Sequence, residues 1–200
     1  MLVITVIPAT QFKTVPWKNG LGHTTELAIN DGGNLDGFDW RLSIASVVSN
    51  GEFSNFSGYQ RNLVLIEGSG LTLDHQNGDI DSLINLLDIA RFNGGCKTIG
   101  TLSNDAIKDF NIITNEETVN VEVACYREQQ HLVIKPTKTR FCFAYSLTDD
   151  ICIEGANKTK SLIAVGDLVK LSAAKEELTE QQLTYGLTGK NIILVQLTPK

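Results

Sequence analysis

The sequence has no excess of basic charge. Its 17 Lys and Arg residues stand against 23 Asp and Glu, giving a formal net charge of −6 and a pI near 5.1. Nucleic-acid binding draws on clustered Lys and Arg. No basic stripe occurs, which argues against a nucleic-acid partner. Cysteine is sparse and irregular: Cys96, Cys125, Cys142 and Cys152 form no C-x-x-C pair and no disulfide framework. They read as reduced, buried thiols of a cytoplasmic protein. Histidine is scarcer still, with His23, His75 and His131 far apart in the chain. His23 and Glu26 could lie close together, but two ligands do not make a metal site. No metal and no cofactor is expected.

Other motifs are missing too. Gly68-Ser69-Gly70 is not followed by Gly-Lys-Ser/Thr, so it is no phosphate cradle. No Ser or Cys sits in a nucleophile elbow beside a committed His, so no catalytic residue is assigned. The apolar start, Met1 to Pro8, lacks a basic segment and a small-residue cleavage pattern, and reads as a first strand rather than a leader. Hydrophobic residues at 42% and charged residues at 20% fit a soluble globular chain, neither disordered nor membrane-spanning. No linker or low-complexity stretch divides it.

What is present is mostly strand signal. Phe38 to Val48 alternates Trp40, Leu42 and Ile44 against Arg41, Ser43 and Ala45, a strand with two unlike faces. Arg61 to Glu67, Gly68-Ser69-Gly70 and Leu71 to Leu73 read as a hairpin. A second hairpin is expected between Thr118–Cys125 and His131–Lys135. Short strands are also expected at 109–114, 139–146, 150–154, 161–165, 167–171 and 191–197, while Ser82 to Ala90 fits either a strand or helical turns. Only Ser172 to Leu183 looks helical, with Ser172 as N-cap. Many short strands with Gly and Asn turns predict an all-β sandwich or barrel. Strands of residues 1–115 would form one half and those of 116–200 another, packed as a single compact unit.

The densest chemistry lies in Pro16-Trp17-Lys18-Asn19-Gly20-Leu21-Gly22-His23-Thr24-Thr25-Glu26. It reads as a tight loop feeding a strand and delivering polar groups to a pocket, or as an ordinary surface turn. Lys18 would supply a point charge. Asn19 would supply an amide that reads both donors and acceptors, or simple turn geometry before Gly20. Trp17 reads as a barrel plug in preference to a stacking platform. Arg61 shares a strand face with Leu63 and Leu65, and an interior cation needs an anion. That anion is a bound carboxylate, which suits the planar guanidinium fork, or one of the chain's own acids. Arg41 has small neighbours in Ser43 and Ala45, or is held structurally by Trp40 or Asp39.

Together, Pro16-Trp17-Lys18-Asn19-Gly20 with Gly22, Thr24 and Glu26, Phe38-Asp39-Trp40-Arg41 with Ser43 and Ala45, Gly51 with Phe53-Ser54 and Phe56, Gly58 with Arg61, and Asp109-Phe110-Asn111 resemble the HutD/Ves family. These motifs span the first 115 residues. In the second half only Gly166-Asp167 before Leu168 adds to them. The resemblance implies a bacterial, cytoplasmic bicupin, two jelly-roll barrels in one chain with one or two short helices. It further implies ligand binding and a regulatory role in histidine utilisation, with small carboxylic or formylated ligands such as formate or N-formylglutamate. Two departures stand out. Gly20-Leu21-Gly22 replaces the family's Gly-Gly-Gly, and Ser57-Gly58-Tyr59-Gln60-Arg61 replaces Pro-Gly-x-Asp-Arg.

The expectation is an all-β bicupin whose first half binds a small anionic metabolite through Trp17, Lys18, Asn19, His23, Glu26, Arg41 and Arg61, with no catalysis required. Two alternatives remain. One is a metal-independent lyase or isomerase using His23 as base and Arg61 as anchor; the other is a protein-interaction module using exposed strand edges. No nucleic acid or membrane partner is expected. A homodimer is the assembly considered, with no sequence feature that fixes it.

Overall fold

The computed structural model describes residues 2–17, 22–135, 141–155, 158–173 and 184–200. In chain order the strands are β1 (Leu2–Ile7), β2 (Lys13–Pro16), β3 (Gly22–Ile29), β4 (Trp40–Val47), β5 (Gly51–Glu52), β6 (Tyr59–Glu67), β7 (Leu71–Asp74), β8 (Ile80–Leu83), β9 (Ile89–Asn93), β10 (Ile99–Leu102) and β11 (Ile107–Asn115). They continue as β12 (Val119–Tyr126), β13 (Gln130–Ile134), β14 (Phe141–Ser146), β15 (Ile151–Glu154), β16 (Lys160–Ile163), β17 (Leu168–Ala173), β18 (Tyr185–Gly189) and β19 (Ile192–Pro199). A single 3₁₀ turn at Ala9–Gln11 is the only helical element among the described residues. The protein is all-β, as its sequence predicts. Of the expected helix, Ser172 and Ala173 end β17, and residues 174–183 lie outside the described residues.

The chain divides into two compact units, Phe12–Val119 and Met1–Gln11 with Asn120–Lys200. The first combines a six-stranded antiparallel sheet, β2-β3-β4-β11-β6-β9, with a four-stranded one, β5-β10-β7-β8. Ala45, Val47, Leu63, Leu65, Ala90 and Phe92 from the larger sheet pack with Leu71, Leu73 and Leu83 from the smaller. Two sheets thus close over one apolar interior. Each fully buried Leu there contributes about 1.5–3 kcal/mol.

The second unit repeats the plan with a five-stranded sheet, β1-β17-β14-β19-β12, and a four-stranded one, β13-β18-β15-β16. Its core joins Cys142, Ala144, Val169, Leu171 and Leu194 to Ile151, Ile153, Ile163, Tyr185 and Leu187. The first strand differs from the division at residue 115, because β1 pairs along its whole length with β17, from Leu2 opposite Ala173 to Ile7 opposite Leu168.

Neither expected hairpin forms. β6 pairs with β11 and β9, whereas β7 belongs to the other sheet beside β10 and β8. In the same way β12 borders β19 while β13 pairs with β18. A Gly-rich break between two strand patterns specifies a change of direction, and in a two-sheet fold that change can carry the chain across to the facing sheet. Residues 82–90 divide between the end of β8, a turn and the start of β9. The strand β18 and the short edge strand β2 were not marked by the sequence pattern.

Candidate functional site

Register sets which side chains share the interior of the Phe12–Val119 unit. On β11, Asp109 lies opposite Leu65 of β6 and Ala45 of β4, and Asn111 lies opposite Leu63 and Ser43. Ile113 lies opposite Arg61 and Arg41. Directly paired residues in an antiparallel sheet point to the same side. Arg61, Asn111, Asp109, Ser43 and Arg41 therefore share the face that carries the core residues Leu63, Leu65 and Ala45. On β3 a bulge between Glu26 and Ala28 sets Glu26 opposite Ser43, bringing it onto the same face.

Arg61 is the centre of this polar stripe. It is only 4% exposed. Its Nη2 donates to Asn111 Oδ1 at 2.7 Å and its Nη1 to the Ser54 carbonyl at 3.2 Å, but its buried Nε has no partner among the described residues. Phe92, Phe53 and Phe56 present their rings to the guanidinium carbon at 5.1, 5.5 and 5.6 Å from the centroids. Such rings favour a cation without neutralising it. Burial lowers the Arg61 pKa to about 10, partly offset by the field of Asp109, so the group stays charged at neutral pH. The clamp depends on Gly100 in the smaller sheet: a Cβ there would collide with the Phe53 ring.

Asn111 links this cation to an acid. While its Oδ1 accepts from Arg61, its Nδ2 donates to Asp109 Oδ1 in a short hydrogen bond. Asp109 is fully buried, and its Oδ2 has no partner among the described residues. Burial raises its pKa to about 7, against the opposing pull of Arg61 and of the Asn111 bond. Arg61 and Asp109 do not close a direct ion pair. The amide lies between them.

Arg41 and Glu26, both selected from sequence, pair with each other: Arg41 Nε donates to Glu26 Oε2 at 2.8 Å. Asp39, one of the partners expected from sequence, accepts from the Thr118 hydroxyl instead. Trp17 packs against the apolar cluster, and its Nε1 donates to Thr24 Oγ1 at 2.8 Å. It acts as the plug the sequence suggested. Gly22 permits this, since a Cβ there would lie 2.9 Å from the Trp17 ring and against the Ser46 carbonyl.

His23 does not join the group. It pairs with Ser46 on the opposite face of the sheet, its Nε2 lying 3.0 Å from Ser46 Oγ, and is exposed. His23 and Glu26 thus point to opposite sides of β3. The base-and-anchor geometry of a lyase, with His23 beside Arg61, is not formed. Gln60 likewise faces away from Arg61 on β6, because neighbouring residues of a strand alternate. Lys18, Asn19, Gly20 and Leu21 lie outside the described residues.

Asp109 and Asn111 were not singled out from the sequence as binding residues. The signal was available: Asp109 and Asn111, two polar residues at period two, alternate with the apolar Phe110 and Ile112 and share their face with Ile113. Among the described residues, no group of three or more His, Cys, Asp or Glu is arranged to hold a metal. Nor does any helix have the length and apolarity to cross a membrane.

Comparison with known proteins identifies relatives of the chain. A 21.2 kDa protein from the hutC 3′ region of Pseudomonas putida is 38% identical over 113 residues, covering 56% of this chain and 59% of that relative. Protein Ves of Citrobacter koseri is 35% identical over 108 residues, covering 54% of this chain and 56% of Ves. The chain thus spans little more than half the length of these curated relatives. The structure of HutD from Pseudomonas fluorescens SBW25, solved in a formate condition, superposes with a TM-score of 0.82 at 28% identity, covering 99% of this chain and all of that one. The HutD family model matches residues 9–191, and the chain belongs to the HutD family.

Proposed function

We propose that the Phe12–Val119 unit binds a small carboxylate, with Arg61 as its principal anion partner, and that binding serves regulation rather than turnover. One observation carries this reading: a buried, charged guanidinium lies among three phenyl rings with a donor, Nε, left unused. A buried donor without an acceptor is costly, on the order of 1–3 kcal/mol, and an anionic ligand removes that cost. The charge balance supports the sign. Glu26 is occupied by Arg41, while burial raises the Asp109 carboxyl to about 7, so that its negative charge is only partly developed at neutral pH. Small side chains at Ser43 and Ala45 line the same face.

We assign the ligand to the formylated or small carboxylic intermediates of histidine utilisation, with formate and N-formylglutamate as first candidates. The relative from the hutC 3′ region and the HutD structure solved in a formate condition support this choice. A thermal melt against N-formylglutamate, glutamate, formate, urocanate and histidine at equal ionic strength tests it. Ligand at a hundredfold excess over its Kd adds about 2.7 kcal/mol, a rise of roughly 5–10 °C for a chain of this size. The carboxylates are expected to shift the melt and histidine is not. A shift by histidine alone overturns the reading.

A further inference from the structure

We propose that Asp109 is a second ligand-facing group of this site, keeping a proton on Oδ2 and donating it to an oxygen of the bound carboxylate, so that anion and proton are taken up together. This rests on the carboxylate-binding reading above and concerns how that site is controlled.

The hydrogen bonds determine where the proton sits. Asn111 has one acceptor and one donor group on its side chain. Arg61 can only donate, so it must meet Asn111 Oδ1, and Asn111 must then offer Nδ2 to Asp109. Asp109 Oδ1 is therefore an acceptor, and a proton on the carboxyl resides on Oδ2. That oxygen is buried and unpartnered among the described residues, as is Arg61 Nε. If both groups are charged, two buried unpaired atoms of opposite sign remain. If Asp109 is protonated, both atoms are donors, and a carboxylate ligand supplies acceptors for each.

The other charged groups do not change this balance. From β6, Arg61 faces Asp109 through Asn111. From β4, Arg41 is occupied by Glu26 of β3, and Lys13 of β2 lies opposite that same Glu26. In the facing sheet His75 and Asp81 bond to one another, Nε2 to Oδ2 at 3.1 Å, and His75 Nδ1 meets Thr98 Oγ1 at 3.0 Å. Lys108 pairs with Glu67. Among the described residues Asp109 thus has no cation bonded to it, and the raised pKa follows from the same geometry.

The test is calorimetric titration of the whole chain with N-formylglutamate and with formate from pH 6 to 8.5, each in two buffers of different ionisation enthalpy. Close to one proton should be taken up per ligand at pH 8 and little at pH 6, with affinity falling toward tenfold per pH unit above about 7. In Asp109→Asn the uptake and the pH dependence should both disappear. Should that variant not fold, the Asp109 carboxyl ¹³C resonance in the unaltered protein assigns the proton: it should report the protonated acid in the complex at pH 8. Binding without proton uptake overturns this inference and leaves the carboxylate site standing. Uptake that persists in Asp109→Asn overturns the assignment to Asp109. Binding of neither probe at any pH removes the site and the inference together.

Discussion

The two units share one architecture, a larger sheet facing a four-stranded one, yet their interiors are filled in opposite ways. In the unit of Asn120–Lys200 with the first strand, the core is aliphatic, from Ile134 and Ala144 to Leu187 and Leu194. Tyr185 Oη is its one buried side-chain polar atom without a partner among the described residues. In the Phe12–Val119 unit, Arg41, Ser43, Arg61, Asp109 and Asn111 are all buried beside an otherwise similar apolar cluster. The first filling is apolar apart from the Cys142 thiol and the Tyr185 hydroxyl. Replacing buried charges such as those of the polar stripe with apolar residues is often neutral or stabilising by about 1–4 kcal/mol. Buried charges at these positions fit the anion-binding role proposed above.

The contrast can be broken most severely by moving a charge to the wrong unit. Leu187→Arg inserts an unpaired cation into the aliphatic interior and should cost more than about 4 kcal/mol, measured by urea unfolding. An effect under about 1 kcal/mol would mean that this core, too, can accommodate charge. The converse change, Arg61→Met with Asp109→Leu, should abolish carboxylate binding, at least a hundredfold in Kd, while the melting temperature holds or rises. Collapse of the fold would make the stripe structural.

The pH dependence of ligand-free stability sharpens the comparison further. Asp109 titrates near 3.8 when unfolded and near 7 when folded. The folded state therefore holds the proton more tightly. Its contribution to stability is complete below about pH 4, is lost as pH rises through about 7, and is constant above that. Asp109→Asn should remove this slope, as read from denaturant midpoints between pH 4 and 8. A more modest effect is expected from Gly100→Ala, which pushes Phe53 off the guanidinium, costing about 1–3 kcal/mol and loosening binding. Smallest of all is His23→Ala, expected within about 0.5 kcal/mol in stability and without effect on binding, because the imidazole is exposed and faces away from the stripe.

Period-two reasoning recovered what depends on one strand at a time. Arg61 does share its face with Leu63 and Leu65, and Arg41 with Ser43 and Ala45. The same rule separates His23 from Glu26, three residues apart, although their closeness in sequence suggested a pair. What could not be read was set between strands. The Arg41–Glu26 bond requires the β3–β4 register and its bulge, and the Arg61–Asn111 bond joins residues 50 positions apart. Both hairpin expectations failed for a related reason: a turn signal carries no information about which sheet receives the next strand. Phe53 and Phe56 are near neighbours in the sequence, but Phe92 enters the clamp only because β9 pairs with β6.

That clamp has a spectroscopic consequence. Circulating π electrons shield nuclei above a ring face, and Arg61 lies over the rings of Phe53, Phe56 and Phe92 at once. Its Nε–H, shut away from water and without an acceptor among the described residues, should exchange slowly and resonate upfield of the Nε–H signal of Arg41, which is bonded to Glu26. An oxygen that accepts this hydrogen would pull the resonance back downfield. One peak in a nitrogen-edited proton spectrum would then report occupancy of the site directly, with no label on the ligand and no substitution in the chain.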